Sequence, residues 1–448
     1  MRRVFSDHGR LQAILDFEAA LARAQARAGI LPPAAAQAIA AKCRAELFDL
    51  ANLARATRDA GNSALPIVNE LTRLVAGADP AAAHFVHHGA TSQDAMDTGL
   101  VLQLRQGLDW IDTDAHKLCL ALAKRAEEHK KTPIAARTWL QHATPTTFGL
   151  KVAGWLCAMV RHRERLHAAR SRELTLQLGG AAGTLAVLGD QAGKVVAFLA
   201  EDLRLAPADL PWHAHRDRLV EVAATLGLVA GTLGKMARDV ALLTQSEIAE
   251  VAEPAAAGRG GSSSMPQKAN PVGCATVLAA ATRVPALVST MLSAMPQEHE
   301  RGLGGWQAEW ETLPELFLLT SGALRDAEQI ASGLRINALR MRQNLDATHG
   351  LIYAESVSAA LARGVGHATA HALVERACRR AAEGQHPLFE IVSADPEITA
   401  HLPPAELKSL FDPEPYVQAA ARLVDQALAI ARRESSEPPE TTPCPSPK

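Results

Sequence analysis

The fourteen-residue run from Gly258 to Pro271 concentrates residue types that can bind a ligand or take part in catalysis. It holds three glycines, three consecutive serines, a lysine, an asparagine and two prolines, between segments rich in Ala and Leu. Glycine lets a backbone approach a ligand closely, and proline removes a backbone donor and fixes φ. Connections between helices are usually about two to eight residues long, so a longer one of this composition is often functional. The run predicts a ligand-closing loop, with a plain linker as the alternative on this run alone.

Two further polar segments interrupt an otherwise helical pattern. Their polar members are His87, His88, Thr91, Ser92, Gln93 and Asp94 in the first segment, and Arg137, Thr138, Gln141, His142 and Thr144 in the second. Each segment sets hydroxyl and amide groups beside a Gly or Pro at a helix end, where free backbone N–H groups can hold an anion. Taken singly, the first has a simpler explanation, because Thr91, Ser92 and Asp94 are also suited to capping the next helix. The run 258–271 is the third segment.

The cluster of His84, His87 and His88 raises the question of a metal site. No Cys or carboxylate lies beside these residues at the spacing of a metal-ligand set. A histidine in such a segment more often serves as a hydrogen-bonding group. We therefore predict neither a metal nor a cofactor.

The elements that must position these segments are helices. Hydrophobic residues make up 48% of the 448 residues and aromatic residues only 4%, so Ala, Leu and Val must form the core. Ala and Leu are strong helix formers, which predicts an all-α protein. The length allows two or three domains with a large buried core.

Apolar residues at helical spacing predict where these helices lie. Short helices are expected at 11–28, 33–44 and 63–75, and longer ones from Thr98 towards Pro133 and at about 146–178, 190–204, 215–252, 271–295 and 307–343. The predicted organisation is an N-terminal helical domain (1–97), a central long-helix bundle carrying the loop (98–345), a small C-terminal helical domain (346–433) and a disordered tail (434–448).

One predicted helix must be buried around most of its circumference. No charge lies between Glu221 and Lys235, and a helix that is apolar all round needs neighbours on all sides. The small residues that would let those neighbours approach are Ala223, Gly227, Ala230, Gly231 and Gly234. This pattern predicts a multi-helix bundle that other subunits complete.

The three segments together, in this order and separated by long helices, resemble the shared regions of the fumarase/aspartase superfamily. The signature is Gly261-Ser-Ser-x-Met-Pro-x-Lys-x-Asn-Pro271, and the Thr-Ser-Gln-Asp and Thr-x-x-Gln-x-Ala-x-Pro segments match the other two regions. The resemblance runs from about Phe5 to Ala431. It implies a three-domain all-α subunit and a homotetramer in which each active site collects one region from each of three subunits.

The resemblance also implies a chemistry, because this family adds or eliminates groups across a C–C bond next to a carboxylate. It places the serine that transfers the carbon-bound proton at Ser262. It places Lys268 and Asn270 where the carbanion is stabilised and its carboxylate is bound. The physical chemistry agrees, since serine is a very weak base that needs positive charge and backbone donors around its oxygen.

Trp139 is where the second segment departs from the family. Most members carry a His at this position, and that His helps to protonate the leaving group. General acid assistance contributes roughly 10²–10⁴-fold, so an enzyme that expels an amine or hydroxide could hardly discard it. A carboxylate needs no such proton. Trp139 therefore favours an internal carboxylate that adds across a double bond to form a lactone, in a pocket that the indole keeps drier.

We expect the substrate to be a small tricarboxylate, which requires further cations and amides. The candidates for substrate binding are His87, Thr91, Ser92, Thr138, Gln141, His142 and Arg301. Arg301 lies in a Glu-His-Glu-Arg cluster, so a structural ion pair is its alternative role. His142 can instead simply orient a neighbour.

Three other interpretations stay open. The first is an adenylosuccinate-type elimination, although the stretch from Gly302 to Trp306 lacks polar partners for a nucleotide phosphate. The second is a non-catalytic relative with the same fold, although Ser262, Lys268 and Asn270 are all retained. The third is a lactone-forming enzyme for a different substrate, because pocket shape decides which substrate fits.

Charge and hydropathy restrict the partners. The net charge of −2 leaves no basic surplus for nucleic acid. The most apolar window, 277–295, is interrupted by Arg283 and Pro285 and is too broken to span a bilayer. The six cysteines are scattered without paired spacing, which favours free thiols. We therefore predict a cytoplasmic protein with no membrane or nucleic-acid partner.

Overall fold

The computed structural model describes residues 1–254 and 260–436. Gly258 and Arg259 of the third segment, and residues 437–448 of the tail predicted to be disordered, lie outside these described residues. Helices dominate, which confirms the all-α prediction. The last helix continues to Ser436, slightly beyond the predicted start of the tail.

The N-terminal part is built from short helices around one long one. They are α1 Asp7–Arg27, α2 Pro33–Lys42, α3 Leu50–Ala60, α4 Ala64–Ala76 and α5 Pro80–Ala83. The predicted end of α1 is confirmed to within one residue, because Gly29 follows the C-cap Ala28 with φ +80°. Its amide donates to Ala26, and the amide of Ile30 donates to Gln25, which satisfies the last carbonyl groups of the helix. Helix α3, which buries none of its residues, was not predicted.

The central part is a bundle of five long helices whose directions alternate. The helices are α6 Ser92–Glu128, α7 Phe148–Glu173, α9 Asp217–Leu243, α10 Val272–Ser293 and α11 Gly305–Gly333, with the shorter α8 Ala192–Leu203 packed on α1. Helix α6 has 37 residues, so it spans about 55 Å. Its N-terminus defines what we call the near end of the bundle, and its C-terminus defines the far end.

The second segment is a β-hairpin and not a loop between helices, so the prediction missed both strands. Strand β1 (Pro133–Thr138) pairs antiparallel with β2 (Gln141–Thr147), and Thr138 lies opposite Gln141. The hairpin lies between α6 and α7 at the far end. Its residues are mostly polar and carry no long apolar alternation, which is why periodicity did not reveal it.

Two long helices are shorter than predicted, because a second small sheet interrupts them. Helix α9 ends at Leu243 and not near residue 252, and α11 ends at Gly333 and not near residue 343. Strand β3 (Val251–Ala252) pairs antiparallel with β4 (Arg335–Ile336). This pairing ties the chain that follows α9 to the chain that follows α11.

A buried ion network fixes three helices at the near end. Arg216, at the start of α9, is fully buried and donates to Asp97 of α6 and to Glu309 of α11. Its Nη1 lies 2.7 Å from Asp97 Oδ2, and its Nε lies 2.9 Å from Glu309 Oε1. The indole of Trp306 and the amide of Gln93 donate to the remaining positions of Asp97. The network therefore fixes the register of α6, α9 and α11.

The C-terminal part has its own small core. Its helices are α12 Ala338–Asp346, α13 Ala354–Val365, α14 His367–Gly384, α15 Leu388–Ser393, α16 Pro396–Thr399, α17 Pro404–Ser409 and α18 Glu414–Ser436. A separate hydrophobic cluster lies between Val357 and Leu407. Helix α18 returns to the bundle, where Val424 and Leu428 join the main core beside α6 and α7. The domain boundaries predicted from the sequence remain a proposal, which this cluster supports only up to α17.

Helices α9 and α10 approach closely at glycines. A Cβ on Gly234 would lie 2.7 Å from the Cβ of Ala281, and one on Gly227 would lie 2.9 Å from Val288. Both distances are shorter than ordinary van der Waals contact. Gly231, one turn from Gly234, has no atom within 4 Å of such a Cβ. Two of the five predicted small residues therefore form this contact directly.

Gly234→Ala should destabilise the protein although alanine is the better helix former. The crowding is expected to cost about 1–3 kcal/mol, against a gain of roughly 1 kcal/mol from helix propensity. Gly231→Ala is the matched control and should leave the melting temperature unchanged or raise it. Calorimetry measures the melting temperatures of both variants. A Gly234→Ala variant that melts at or above the temperature of Gly231→Ala would contradict the close packing of α9 on α10.

Candidate active site

The first segment forms the N-terminus of α6 and is held by one buried carboxylate. Thr91 is the N-cap, and its amide donates to Asp94 Oδ2 at 3.0 Å. Asp94 is fully buried and also accepts from the amides of Gly179 and Gly180 at 2.9 Å and from His213 Nε2 at 2.7 Å. Asp94 therefore has a structural role, and the capping interpretation is correct for Thr91 and Asp94. The Thr91 hydroxyl remains available for other contacts.

Arg301 meets this hydroxyl. Its Nη1 donates to Thr91 Oγ1 at 2.9 Å, and its Nη2 donates to the carbonyl of Ala181 at 2.9 Å. Among the described residues we find no carboxylate within ion-pair distance of this guanidinium, so the proposed structural pair within the Glu-His-Glu-Arg cluster does not form there. The near end thus brings Arg301 together with Thr91 and Ser92. Arg301 and Thr91 are 210 positions apart in the sequence.

A glycine-rich turn beside them was missed by the sequence prediction. Gly180 and Gly183 have φ +69° and +81°, and a Cβ on Gly180 would lie 3.1 Å from the carbonyl oxygen of Gly89. The turn supplies the carbonyl that Arg301 contacts and the amides that Asp94 accepts from. The dense run Gly-Gly-Ala-Ala-Gly at 179–183 was a signal that could have identified it.

His87 is paired with a glutamate of α1. Its Nδ1 lies 2.6 Å from Oε1 of Glu18, whose side chain is 1% exposed. Burial lowers the pKa of the imidazole, but the charge and hydrogen bond of Glu18, with the charge of Asp94, raise it above its ordinary value overall. His87 therefore keeps its positive charge to a higher pH than an ordinary histidine does.

The second segment places its candidate residues around an exposed turn. Trp139 and Leu140 form the two-residue loop with φ +51° and +65°, the positive values that such hairpin loops require. Trp139 is 98% exposed in the single chain. Thr138, Gln141 and His142 are also exposed. Within residues 1–254 and 260–436 nothing covers this side chain, so a drier pocket needs another surface over the indole.

His142 differs from His87 in charge. Burial lowers the pKa of its imidazole, and the positive charge of Arg137 lowers it further, against the opposing charge of Glu250. His142 is therefore neutral near pH 7 and suits hydrogen bonding better than carboxylate neutralisation. Lys151, one turn into α7, is a cation that the sequence prediction missed; burial lowers its pKa, and Asp239 opposes this.

Arg137 is a structural member of the second segment. It donates through Nη1 and Nη2 to the two oxygens of Glu250, at 2.9 and 2.8 Å. Glu250 has no exposed surface and also accepts from Asn344 of α12 at 2.9 Å. This ion pair fastens the hairpin to the chain between α9 and β3.

The described part of the third segment is an exposed loop closed at its base. The amide of Asn270 donates to the carbonyl of Gly260 at 2.8 Å. Ser262 Oγ accepts from the amide of Met265 at 3.1 Å, and its side chain is half-buried. Lys268 is exposed. The loop therefore presents the serine and the lysine towards space that residues 1–254 and 260–436 do not fill.

The helix that follows this loop does not offer a free anion site. The carboxylate of Glu253 accepts from the amides of Gly273 and Cys274, at 3.0 and 2.7 Å, in the first turn of α10. The expectation that free N–H groups at each helix end bind an anion is therefore wrong for α10. A substrate carboxylate at the third segment must bind side chains or loop amides.

The three segments do not meet within one chain. The first segment and Arg301 lie at the near end of the bundle, whereas the hairpin and the third segment lie at the far end. Helix α6 separates the first segment from the hairpin by about 55 Å, and α10, with 22 residues, separates the loop from the segment with Arg301 by about 33 Å. A site that uses all three segments requires more than one chain.

Comparisons with known proteins match nearly the whole chain. The family model described as Lyase matches residues 1–286, and the one described as Adenylosuccinate lyase C-terminus matches residues 350–427. A 3-carboxy-cis,cis-muconate cycloisomerase of Pseudomonas aeruginosa is 58% identical over 429 residues, which cover 96% of this chain and 94% of that protein. A nitrosuccinate lyase of Streptomyces davaonensis is 45% identical over 431 residues, 94% and 91% of the two chains. The solved 3-carboxy-cis,cis-muconate lactonizing enzyme from Pseudomonas putida has a TM-score of 0.91, 52% identity and 97% coverage of each chain.

Arg137→Met should destabilise the protein strongly, because it leaves the buried carboxylate of Glu250 without its cation. Breaking a buried pair in this way costs about 3–5 kcal/mol. The double variant Arg137→Met/Glu250→Gln removes both charges and should recover part of the lost stability. Thermal melts of the wild type and both variants test this; a single variant as stable as the wild type would contradict a structural role for Arg137.

Proposed function

The chain belongs to the fumarase/aspartase superfamily, and on that basis we propose that it catalyses the cycloisomerisation of 3-carboxy-cis,cis-muconate to 4-carboxymuconolactone. The observation that carries this proposal is the 58% identity, across 96% of the chain, to a relative of that name. The reaction is an intramolecular addition in the protocatechuate branch of aromatic catabolism. It needs no external nucleophile.

We propose the following roles for the third segment. A substrate carboxylate attacks the conjugated double bond, and the negative charge spreads into a neighbouring carboxylate. Lys268 and Asn270 stabilise that charge by electrostatics and hydrogen bonding. Ser262 then delivers a proton to carbon, which completes the lactone. Solvent returns a proton to the serine, so one proton is taken up for each ionised substrate converted.

The other proposed binding residues divide by charge. Arg301 and the cationic His87 suit two substrate carboxylates, and the hydroxyls of Thr91 and Ser92 add hydrogen bonds. Thr138, Gln141 and His142 offer neutral hydrogen-bonding groups on the hairpin, at the positions that the family resemblance marks. The raised pKa of His87 and the lowered pKa of His142 support this division. No cofactor or metal has a role in the proposal.

Trp139 supports the reaction type, because no imidazole stands at this position to protonate a leaving group.

The same residue is compatible with a second candidate function, the elimination of nitrite. Nitrite is a weak base that leaves without a proton, so elimination of nitrite would also tolerate a Trp here, and a nitrosuccinate lyase is 45% identical to the chain. The higher identity to cycloisomerases favours lactone formation. Turnover assays with 3-carboxymuconate, nitrosuccinate and adenylosuccinate separate the three activities.

We propose that the protein is a cytoplasmic homotetramer whose active sites are shared by three subunits. The separation of the segments within one chain supports this arrangement. Helix α10 also supports it. Despite Arg283 and Pro285, its length and mean hydropathy reach those of a membrane span, contrary to the sequence-based expectation, yet only 28% of its most apolar window is buried in the single chain. Helix α9 is longer, with 27 residues, and similarly apolar, but 61% of its most apolar window is buried within the bundle. Partner subunits would cover α10 and the indole of Trp139 together.

Ser262→Ala should lower kcat for 3-carboxymuconate by about 10²–10⁴-fold, because proton delivery to carbon loses its donor. Ser263→Ala is the matched control, since its exposed side chain lies in the same loop and is given no role here. Loss of the diene's ultraviolet absorbance measures turnover, and native mass spectrometry checks the assembly. Near-normal turnover by Ser262→Ala would overturn the assignment of the serine.

Mixing inactive variants tests whether the sites are shared. If Ser262 and Arg301 come from different subunits, random hybrids of Ser262→Ala and Arg301→Met have both residues intact in about one site in four. Activity should therefore reappear when the two variants are dissociated together and reassembled. A mixture of Ser262→Ala with Lys268→Met is the control and should stay inactive, because both residues lie on one loop. Failure of the first mixture to regain activity would contradict shared sites.

A further inference from the structure

Glu18 is a buried carboxylate that the reaction described above does not use. It lies in the middle of α1, and its side chain is 1% exposed. Oε1 lies 2.6 Å from His87 Nδ1, and Oε2 is buried without a hydrogen-bond partner among the described residues. An ionised carboxylate is costly to bury unless a cation is next to it. His87 is the group in contact that can supply this charge.

The other charged groups around His87 are engaged elsewhere. Asp94 on α6 contributes negative charge, but its two oxygens already accept four hydrogen bonds, from Thr91, Gly179, Gly180 and His213. Arg301, from the connection between α10 and α11, donates to Thr91 and to backbone carbonyls. Glu18 is therefore the one described carboxylate that is hydrogen-bonded to the imidazole.

The pair also orients the ring. Donation of Nδ1–H to Glu18 leaves Nε2 on the opposite side of the imidazole, and no described residue hydrogen-bonds to Nε2. The side chain of His87 is 16% exposed, so this nitrogen can reach a ligand. The backbone of His87 is in the left-handed region with φ +58°, a conformation that a non-glycine residue keeps only when its surroundings hold it.

We propose that Glu18 is a positioning residue: through Nδ1 it holds His87 in one orientation with an Nε2–H directed at a substrate carboxylate, four residues before Thr91. This inference deepens the proposed function and rests on it. Nothing in the signature of the three segments includes Glu18, which lies on α1, 69 positions before its partner. The negative charge of Glu18 favours the cationic form of the imidazole in this largely buried position.

Glu18→Gln tests the charge while keeping an oxygen that can accept from Nδ1. The pKa of His87 is raised in the wild type, so the cation is present below that pKa and is lost as pH rises through it. Without the charge of Glu18, burial prevails, and the alkaline limb of kcat/KM should move to lower pH. Above the limb of the variant, KM should rise roughly tenfold to a hundredfold, as expected for loss of one charge-assisted hydrogen bond.

Three further variants distinguish positioning from general stability. Glu18→Asp keeps the negative charge, so the alkaline limb of its kcat/KM should lie closer to the wild-type pH than that of Glu18→Gln. Gln25→Met is the matched control, because Gln25 is a buried residue of the same helix that contacts the carbonyl of His88 at 2.6 Å and carries no charge. It should lower the melting temperature without moving the limb. The double variant Glu18→Gln/His87→Asn should have the same KM as His87→Asn alone, because both changes remove the same interaction.

A readout without substrate separates this inference from the proposed function. Exchange of the imidazole C2 hydrogen, followed by mass spectrometry with fragmentation to resolve His87 from His84 and His88, reports the titration of His87 directly. The midpoint of the His87 titration should shift to lower pH in Glu18→Gln and should stay unchanged in Gln25→Met. An unshifted titration overturns the role of Glu18, whatever the substrate is. A shifted titration together with no turnover of 3-carboxymuconate retains the pairing and overturns the proposed reaction.

Discussion

The geometry of the near end depends on the buried guanidinium of Arg216. Asp97 accepts from its Nη1 and Nη2, Glu309 accepts from its Nε and Nη2, and all three side chains are buried. Removing Arg216 would leave the two carboxylates together in the core without their cation, which is strongly destabilising. Asp97 lies six residues after Thr91, and Glu309 lies eight residues after Arg301. The network therefore fixes the distance between the two residues on which this part of the proposed site depends.

The rigid length of the bundle determines what one chain can do. A continuous helix cannot bring its two ends together, so α6 keeps the first segment away from the hairpin. Each chain therefore holds the first segment at one end of the bundle and the hairpin and the third segment at the other. The exposed indole of Trp139 and the poorly covered α10 are liabilities in a lone chain. Both become useful if partner chains supply the missing surfaces.

Periodicity and composition predicted the helices well and the irregular regions poorly. The end of α1 at Gly29 follows from a local property that a sequence states directly. The small residues of α9 indicated a close approach, but which of them meets Ala281 depends on tertiary packing. The hairpin was missed because it carries no apolar alternation, and α9 was predicted too long because β3 pairs with a strand distant in sequence. The third segment was identified by composition, whereas the Glu18–His87 pair depends on tertiary contact between residues far apart. The capping role of Glu253 was equally invisible, since its partners lie 20 and 21 residues later.

The hydrogen bonds of Asp94 also have a consequence for the order of folding. Its partners Gly179, Gly180 and His213 lie 85, 86 and 119 residues further along the chain. Contacts of such separation form late, after the closure entropy of the intervening chain has been offset. The helices α6 and α7 can associate earlier through neighbouring sequence. A subunit arrested during assembly would then have much of its helix content while the loop at Thr91 was still unformed.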